Sequence, residues 1–323
     1  MASASSSSAQ QIASESITSL NPRTGALQRG RELVVNKLII PLGHRSIALP
    51  SNIFEHLRFQ IFHAVLVVLH LLVAIQDSLA RHYYTAKNGL LAFLYHHHRT
   101  PQLIAQDMHG LAKTPTNVAI ILTFRPSEEG GGIQGLMEQV ADVVSWSLGS
   151  SIKALTVYES SGQLLTRYET AYQVIERTLV SYYGAASLPR VRIHVPHTNT
   201  IYVPPSSSPD TPYDIDVYLI SKDDGRQFLV DLTREYAFKA AVHQDFEPSK
   251  LTVESIDKIV SDRVIPEPDL IILFGPSLDL DSFPPWPARL SEIYFSDFNN
   301  SVTYSVFLRG IRRYSDCQIN IGR

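Results

Sequence analysis

The chain is nearly without cysteine: Cys317 stands alone among 323 residues. One thiol cannot close an internal disulfide, so no oxidising compartment is required and a cytosol-facing domain fits. A basic excess is missing as well. The 28 Lys and Arg are matched by 31 Asp and Glu, a formal charge of −3, which speaks against a nucleic-acid-binding face. No internal repeat is present. The one glycine cluster, Gly130-Gly131-Gly132, matches neither dinucleotide nor Walker spacing. The long apolar run lies too far from the N-terminus for an ordinary signal peptide.

What is there begins with hydrophobic content, 44% of residues, enough for one sizeable core plus an appendage. Residues 1 to about 30 are rich in Ser, Ala and Gln without apolar period and read as a disordered tail. The run Phe59 to Ile75 has an uncharged centre, Ala64 to Ile75, bracketed by Arg58 and Asp77. A spanning helix needs roughly 17–25 residues, so the run is short, and His63 and His70 weaken it. It reads as a membrane helix; an amphipathic or buried helix is the plainer alternative. Arg45 and Arg58 before it balance Arg81 and Lys87 after it, so charge bias sets no orientation. His96-His97-His98 reads as solvated polar residues, since three adjacent His cannot all face one metal from a helix.

From about 115, strands and helices alternate. Val118 to Leu122 is an apolar run suited to a strand buried on both faces. Ile133, Leu136, Met137, Val140, Val144 and Leu148 follow at helical spacing. Ile152–Tyr158 predicts a second strand, the stripe from Leu164 to Leu179 a second helix, and Val191–Val195 a third strand. Residues 196–214 read as a long loop. Val217–Ile220 and Leu270–Leu273 predict further strands. Helices are expected over Gln227–His243, Leu251–Val260 and Tyr304–Arg313, with an extended end from Ser315. The fold class is therefore α/β, a mainly parallel central sheet flanked by helices and preceded by a membrane helix. The chain divides into an irregular tail (1–50), the membrane helix (51–80), a helical linker (81–114) and the α/β domain (115–323).

Parallel sheets bind ligands at the carboxyl ends of their strands. There the chain carries Leu122-Thr123-Phe124-Arg125 and, ahead of the next helix, Glu128, Glu129 and three glycines. The two carboxylates would sit at the positive helix end and repel a diphosphate. After the strand at 270–273 come Phe274-Gly275-Pro276 and Asp279-Leu280-Asp281-Ser282, then Phe283-Pro284-Pro285-Trp286-Pro287-Ala288-Arg289-Leu290-Ser291-Glu292-Ile293-Tyr294-Phe295. Asp224-Gly225-Arg226 follows the fourth strand, and Tyr158-Glu159-Ser160-Ser161-Gly162 the second. Asp224-Gly225 is also an ordinary turn dipeptide. One Asn-x-Ser triplet stands at Asn299.

The arrangement over 115–323, and the segment from 266 to 295 above all, resembles the cis-prenyltransferase superfamily. It is most similar to the accessory, Nogo-B-receptor-type branch that accompanies dehydrodolichyl diphosphate synthase. That resemblance implies losses at two sites. Thr123 stands where catalytic relatives carry a magnesium-binding Asp, and a neutral hydroxyl is a poor hard-metal ligand. Phe124 replaces the following glycine. Leu273 and Asp279 fall in the stretch where arginines bind the homoallylic diphosphate, and acids at 279 and 281 reverse the local sign. The family further implies an interface near Trp286, Arg289 and Glu292; an exposed ion pair is the plainer reading of the last two. It also implies a substrate-contacting tail, here Asn320, Gly322 and Arg323, with Asn320 replacing an arginine.

The expectation is a non-catalytic activating subunit of a heteromeric enzyme that builds long polyprenyl diphosphate, the dolichol precursor used in protein glycosylation. Magnesium would be bound mainly by the catalytic cis-prenyltransferase partner, which would also supply most of the diphosphate-binding arginines. Farnesyl and isopentenyl diphosphate would engage through the complex, at the endoplasmic reticulum membrane, with the globular domain facing the cytosol. The alternative is a membrane-anchored interaction or receptor protein using the same fold without prenyl transfer. An autonomous prenyltransferase fits least.

Overall fold

The computed structural model describes residues 53–95, 100–127, 131–203, 212–242, 251–275, 277–296, 299 and 301–318. The expected tail over 1–50, His96-His97-His98, Glu128 and Glu129, and the C-terminal Asn320, Gly322 and Arg323 lie outside them.

The first helix, α1, runs Ile53–Tyr95. It is one unbroken helix of 43 residues, roughly 64 Å at 1.5 Å per residue. The boundary expected near residue 80 therefore falls inside a continuous helix. Every residue from Phe54 to Asp77 is exposed, including Leu66, Val68, Leu69 and Leu72, each more than half accessible. It is the one helix among the described residues long and apolar enough to cross a membrane.

The α/β unit has a seven-stranded sheet. Its strands are β1 Asn117–Leu122, β2 Ala154–Glu159, β3 Val191–Val195, β4 Thr200–Tyr202, β5 Ile215–Ile220, β6 Leu270–Phe274 and β7 Glu292–Phe295. They lie in the order β4-β3-β5-β2-β1-β6-β7. All pairings are parallel except β3 with β4. The helices are α2 Pro101–Met108, α3 Gly132–Gly149, α4 Tyr168–Tyr183, α5 Arg226–Val242, α6 Val253–Arg263, α7 Pro285–Ala288 and α8 Tyr304–Asp316.

The apolar runs explain the layering. In β1, Val118, Ile120 and Leu122 enter one core cluster, with side chains of α2, α3, α4 and α8. Ala119 and Ile121 enter the other, with Ile271 and Leu273 of β6 and Val260 of α6. Each face of the central strands thus buries side chains, which is why those strands read as continuous hydrophobic runs. β3 differs: Val191, Ile193 and Val195 are buried while Arg192 and His194 are half-buried. Both bind Asp216 of β5, at 2.6 Å from Arg192 Nε and 3.0 Å from His194 Nε2. Burial pushes the Asp216 carboxyl up, but these hydrogen bonds outweigh it and hold it at about 2.

Two sequence expectations change. The segment 196–214 is not all loop, because Thr200–Tyr202 adds an antiparallel edge strand to β3. The last helix does not stop at Arg313. It continues through Ser315 to Asp316, because the Ser315 hydroxyl is buried against the chain before β1 and accepts the Ala112 amide at 2.9 Å.

Candidate functional site at the sheet edges

The strand order reverses around β1. Its neighbour β2 lies on one side and β6 on the other, and a crevice at such a point, beyond the carboxyl ends, is where open α/β sheets bind ligands. Register fixes what stands there. Leu122 pairs with both Glu159 and Phe274, so Thr123, Ser160 and Gly275 are the first residues beyond the three central strands. Thr123 and Gly275 are close: a Cβ on Gly275 would lie 3.8 Å from Thr123 Oγ1. Phe124 packs partly buried against the first core cluster. Leu273 is 2% exposed and belongs to the second cluster, so its side chain fills core and does not sit at the edge.

The carboxylates at this edge are used internally. Glu159 is 1% exposed and accepts three hydrogen bonds, from Ser161 N (2.6 Å), Ser161 Oγ (2.8 Å) and Gln163 N (3.1 Å). They close the turn after β2. Asp224 caps the short 3-10 turn after β5, accepting the Ser221 amide at 2.9 Å; burial raises its pKa. Asp279 Oδ1 accepts the Asp281 amide at 2.9 Å. A hard divalent cation wants several free oxygen ligands. Thr123, Gly275 and carboxylates already engaged with backbone amides do not make such a set, and among the described residues no group of three or more His, Cys, Asp or Glu is gathered for a metal. The described residues of this edge offer no set of free oxygens that fits magnesium.

The loop from 277 to 284 is held down over the second core cluster. Asp281 and Ser282 both have positive φ, 43° and 70°. The Tyr158 hydroxyl donates to the Asp281 carbonyl, and the Tyr158 ring meets Phe283 edge-on at 5.5 Å. Phe283 is 4% exposed. Ser277, Leu278 and Asp279 stay exposed.

The opposite, amino-terminal edge carries the other expected residues. Trp286 and Arg289 converge on Asp257 of α6. The indole Nε1 donates to Asp257 Oδ1 at 2.6 Å and Arg289 Nη2 to Oδ2 at 2.8 Å. The guanidinium lies over the indole, 4.7 Å from its centroid, a favourable cation–π geometry. The hydrogen bond from Arg289 holds the Asp257 carboxyl below its usual range, against a small opposing effect of burial. Beside this group is a cavity of about 240 Å³ lined by Val260, Ile265, Trp286 and Arg289 among others. Arg289 and Glu292 do not pair with each other: Arg289 is committed to Asp257, while Glu292 opens β7 and accepts Cys317 Sγ–H at 3.4 Å. Asp257 escaped sequence reasoning because it lies 32 residues from Arg289 on another helix.

No protein-family model matches the chain. Among curated proteins, it is 35% identical over 286 residues to the dehydrodolichyl diphosphate synthase complex subunit NUS1 of Saccharomyces cerevisiae, covering 84% of this chain and 75% of that one. The nus1 subunit of Schizosaccharomyces pombe is 36% identical over 233 residues, 72% of this chain and 86% of that one. Among solved structures, lavandulyl diphosphate synthase from Lavandula x intermedia aligns at a TM-score of 0.45 with 18% identity, over 65% of this chain and 99% of its own. With identity above one third over most of both yeast chains, this chain belongs to the NUS1 family of dehydrodolichyl diphosphate synthase complex subunits.

Proposed function

We propose that the chain is the accessory subunit of a heteromeric cis-prenyltransferase and that a catalytic homologue supplies the chemistry. The observation that carries this reading is the Thr123–Gly275 edge: among the described residues the neutral Thr123 is the first residue beyond β1, and Asp279 and Asp281 follow β6 where the resemblance leads one to expect arginines. A diphosphate brought there would meet like charge and lose hydration without compensation. Magnesium and most of the diphosphate-binding arginines then belong to the partner, which condenses isopentenyl diphosphate onto farnesyl diphosphate to make the dolichol precursor for glycosylation. This chain contributes three things: membrane attachment through α1, a docking face that includes the Trp286–Arg289 group and Glu292, and the tail Asn320–Arg323.

The long apolar helix α1 supports a membrane location. The described part of α1 leaves its apolar side chains uncovered, the state a lipid environment would relieve. Asn299 is 2% exposed and its Nδ2 is buried, so the folded domain has no room for a glycan there. The location proposed, as the family resemblance implies, is the endoplasmic reticulum membrane with the α/β unit facing the cytosol.

Removing residues 1–99 is expected to move the remaining domain from the membrane pellet to the soluble fraction when no partner is co-expressed. Persistence in the pellet as folded protein would assign membrane binding to the α/β unit instead. The partner reading is tested by copurification: the tagged full-length chain should retain a homologue with the complete aspartate and arginine signature, and the eluate should transfer prenyl groups. Capture of other proteins with no such homologue and no transfer would favour the interaction-protein alternative.

A further inference from the structure

The apolar helix α1 carries one polar stripe. From Phe59 to Leu72 the polar residues are Gln60, His63 and His70. At about 100° of turn per residue they fall within about 80° of arc on one side of the helix. His56, one heptad before His63, lies on the same line. Arg58 stands on the opposite side, with its guanidinium 5.6 Å from the Phe62 ring centroid. All of these side chains are exposed.

In hydrocarbon such a stripe presents polar groups that lipid cannot hydrogen-bond. His70 shows what is left over. Its Nδ1 lies 2.8 Å from the Leu66 carbonyl oxygen, which only accepts, so Nδ1 carries the proton. Nε2 is then an acceptor with no donor in the surrounding tails. His63 stacks on Phe59, ring centroids 6.3 Å and planes 9° apart. The Gln60 amide brings both a donor and an acceptor.

The spacing selects the occupant. His56, His63 and His70 repeat at seven residues, as do Gln60 and Val67. A seven-residue repeat keeps a straight seam when helices wind around each other left-handedly. Copies of one chain insert in the same sense, and parallel copies in register set each seam residue against itself. Gln60 suits that arrangement, because two amides satisfy each other. Val67 meets Val67. At the His70 layer one water, with its two O–H donors, bridges two Nε2 acceptors.

We propose that α1 is a self-association element: the seam His56, Gln60, His63, Val67 and His70 pairs with the same seam of a second copy of this chain, so that two accessory subunits are joined within the membrane. The proposal rests on the reading of α1 as a membrane span. Lipid tails are as apolar as leucine, so interhelical hydrogen bonds and close packing, and not apolar burial, hold the pair.

The test uses the full-length chain with Cys317→Ser, reconstituted in phosphatidylcholine vesicles and carrying a single introduced thiol, Val67→Cys on the seam or Val65→Cys on the opposite face. Oxidation should cross-link Val67→Cys into a dimer at least about fivefold more than Val65→Cys, since a disulfide forms only where the two Cβ atoms come close. Adding Gln60→Leu to Val67→Cys makes the span more apolar, leaves insertion intact and should lower the dimer yield about fivefold. Should that variant insert poorly, His63→Leu must show the same loss. Alkaline carbonate extraction of the same vesicles separates the two ways of failing. Release of the chain shows that α1 does not span and overturns the membrane reading and the pair together. Retention with equal or absent cross-linking at 65 and 67 overturns the pair and leaves the anchor standing. Cross-linking of Val67→Cys in native membranes to a different protein alone overturns the second copy as occupant.

Discussion

Deleting Asn320–Arg323 is expected to leave the complex assembled and to lower its turnover at least tenfold. The residues proposed for docking, Trp286, Arg289 and Glu292, are untouched by the truncation, so pull-down yield should not change. The loss concerns contacts to a diphosphate. Gly322 has no side chain to keep its backbone amide from a phosphate oxygen, and Arg323 adds a guanidinium. Losing one charge-assisted contact costs about 1.5–3 kcal/mol, which is tenfold or more in rate. Asn320→Arg should be neutral or activating, because it adds a charge where Asn only hydrogen-bonds. Steady-state rates of the purified complexes decide the matter, and full activity of the truncated complex would remove the tail from the mechanism.

Gly225→Ala is expected to destabilise the α/β unit by about 2 kcal/mol, roughly 4–8 °C in melting temperature for a unit of this size. The reason is the close approach of Gly225 to Ser282. A Cβ there would lie 2.4 Å from the Ser282 carbonyl oxygen, and a backbone atom cannot step aside as a side chain end can. The loop 277–284 would have to lift, taking the Asp281 carbonyl from Tyr158 and Phe283 from the core. Ser282→Ala, which leaves that carbonyl in place, should change stability by less than about 0.5 kcal/mol. Thermal melts of the two variants separate the contact from a general effect on the loop; equal melting temperatures would contradict it.

Those two positions differ in how far the sequence discloses them. Gly225 follows an Asp in a turn dipeptide and is legible as a turn; that it abuts Ser282, 57 residues on, is not. The sheet was legible because β1 and β6 are buried on both faces and carry the apolar runs Val118–Leu122 and Leu270–Phe274. Helices α3 and α4 declared themselves by stripes facing one core. β4 was hidden because Thr200-Ile201-Tyr202 is three residues long, lies at the sheet edge and leaves Ile201 59% exposed, so no burial pattern marks it. The last turn of α8 was hidden because Ser315 is held by Ala112 and Lys113, partners that periodicity does not show. The losses expected at Thr123 and Asp279 come from setting residue types against the family resemblance, which needs no coordinates. The Asp257–Trp286–Arg289 group and the hydrogen bond from Lys113 Nζ to the Cys317 carbonyl could not be read that way, since each joins segments far apart in the chain.

The central claim is that this subunit lacks the chemistry and completes an enzyme that has it. The direct measurement is magnesium-dependent incorporation of isopentenyl diphosphate by the purified chain alone, by the catalytic partner alone, and by the two mixed at equal concentration. The account predicts no detectable product from this chain, and turnover from the mixture well above that of the partner alone. Robust magnesium-dependent turnover by this chain alone, or a mixture no faster than the partner by itself, would contradict it.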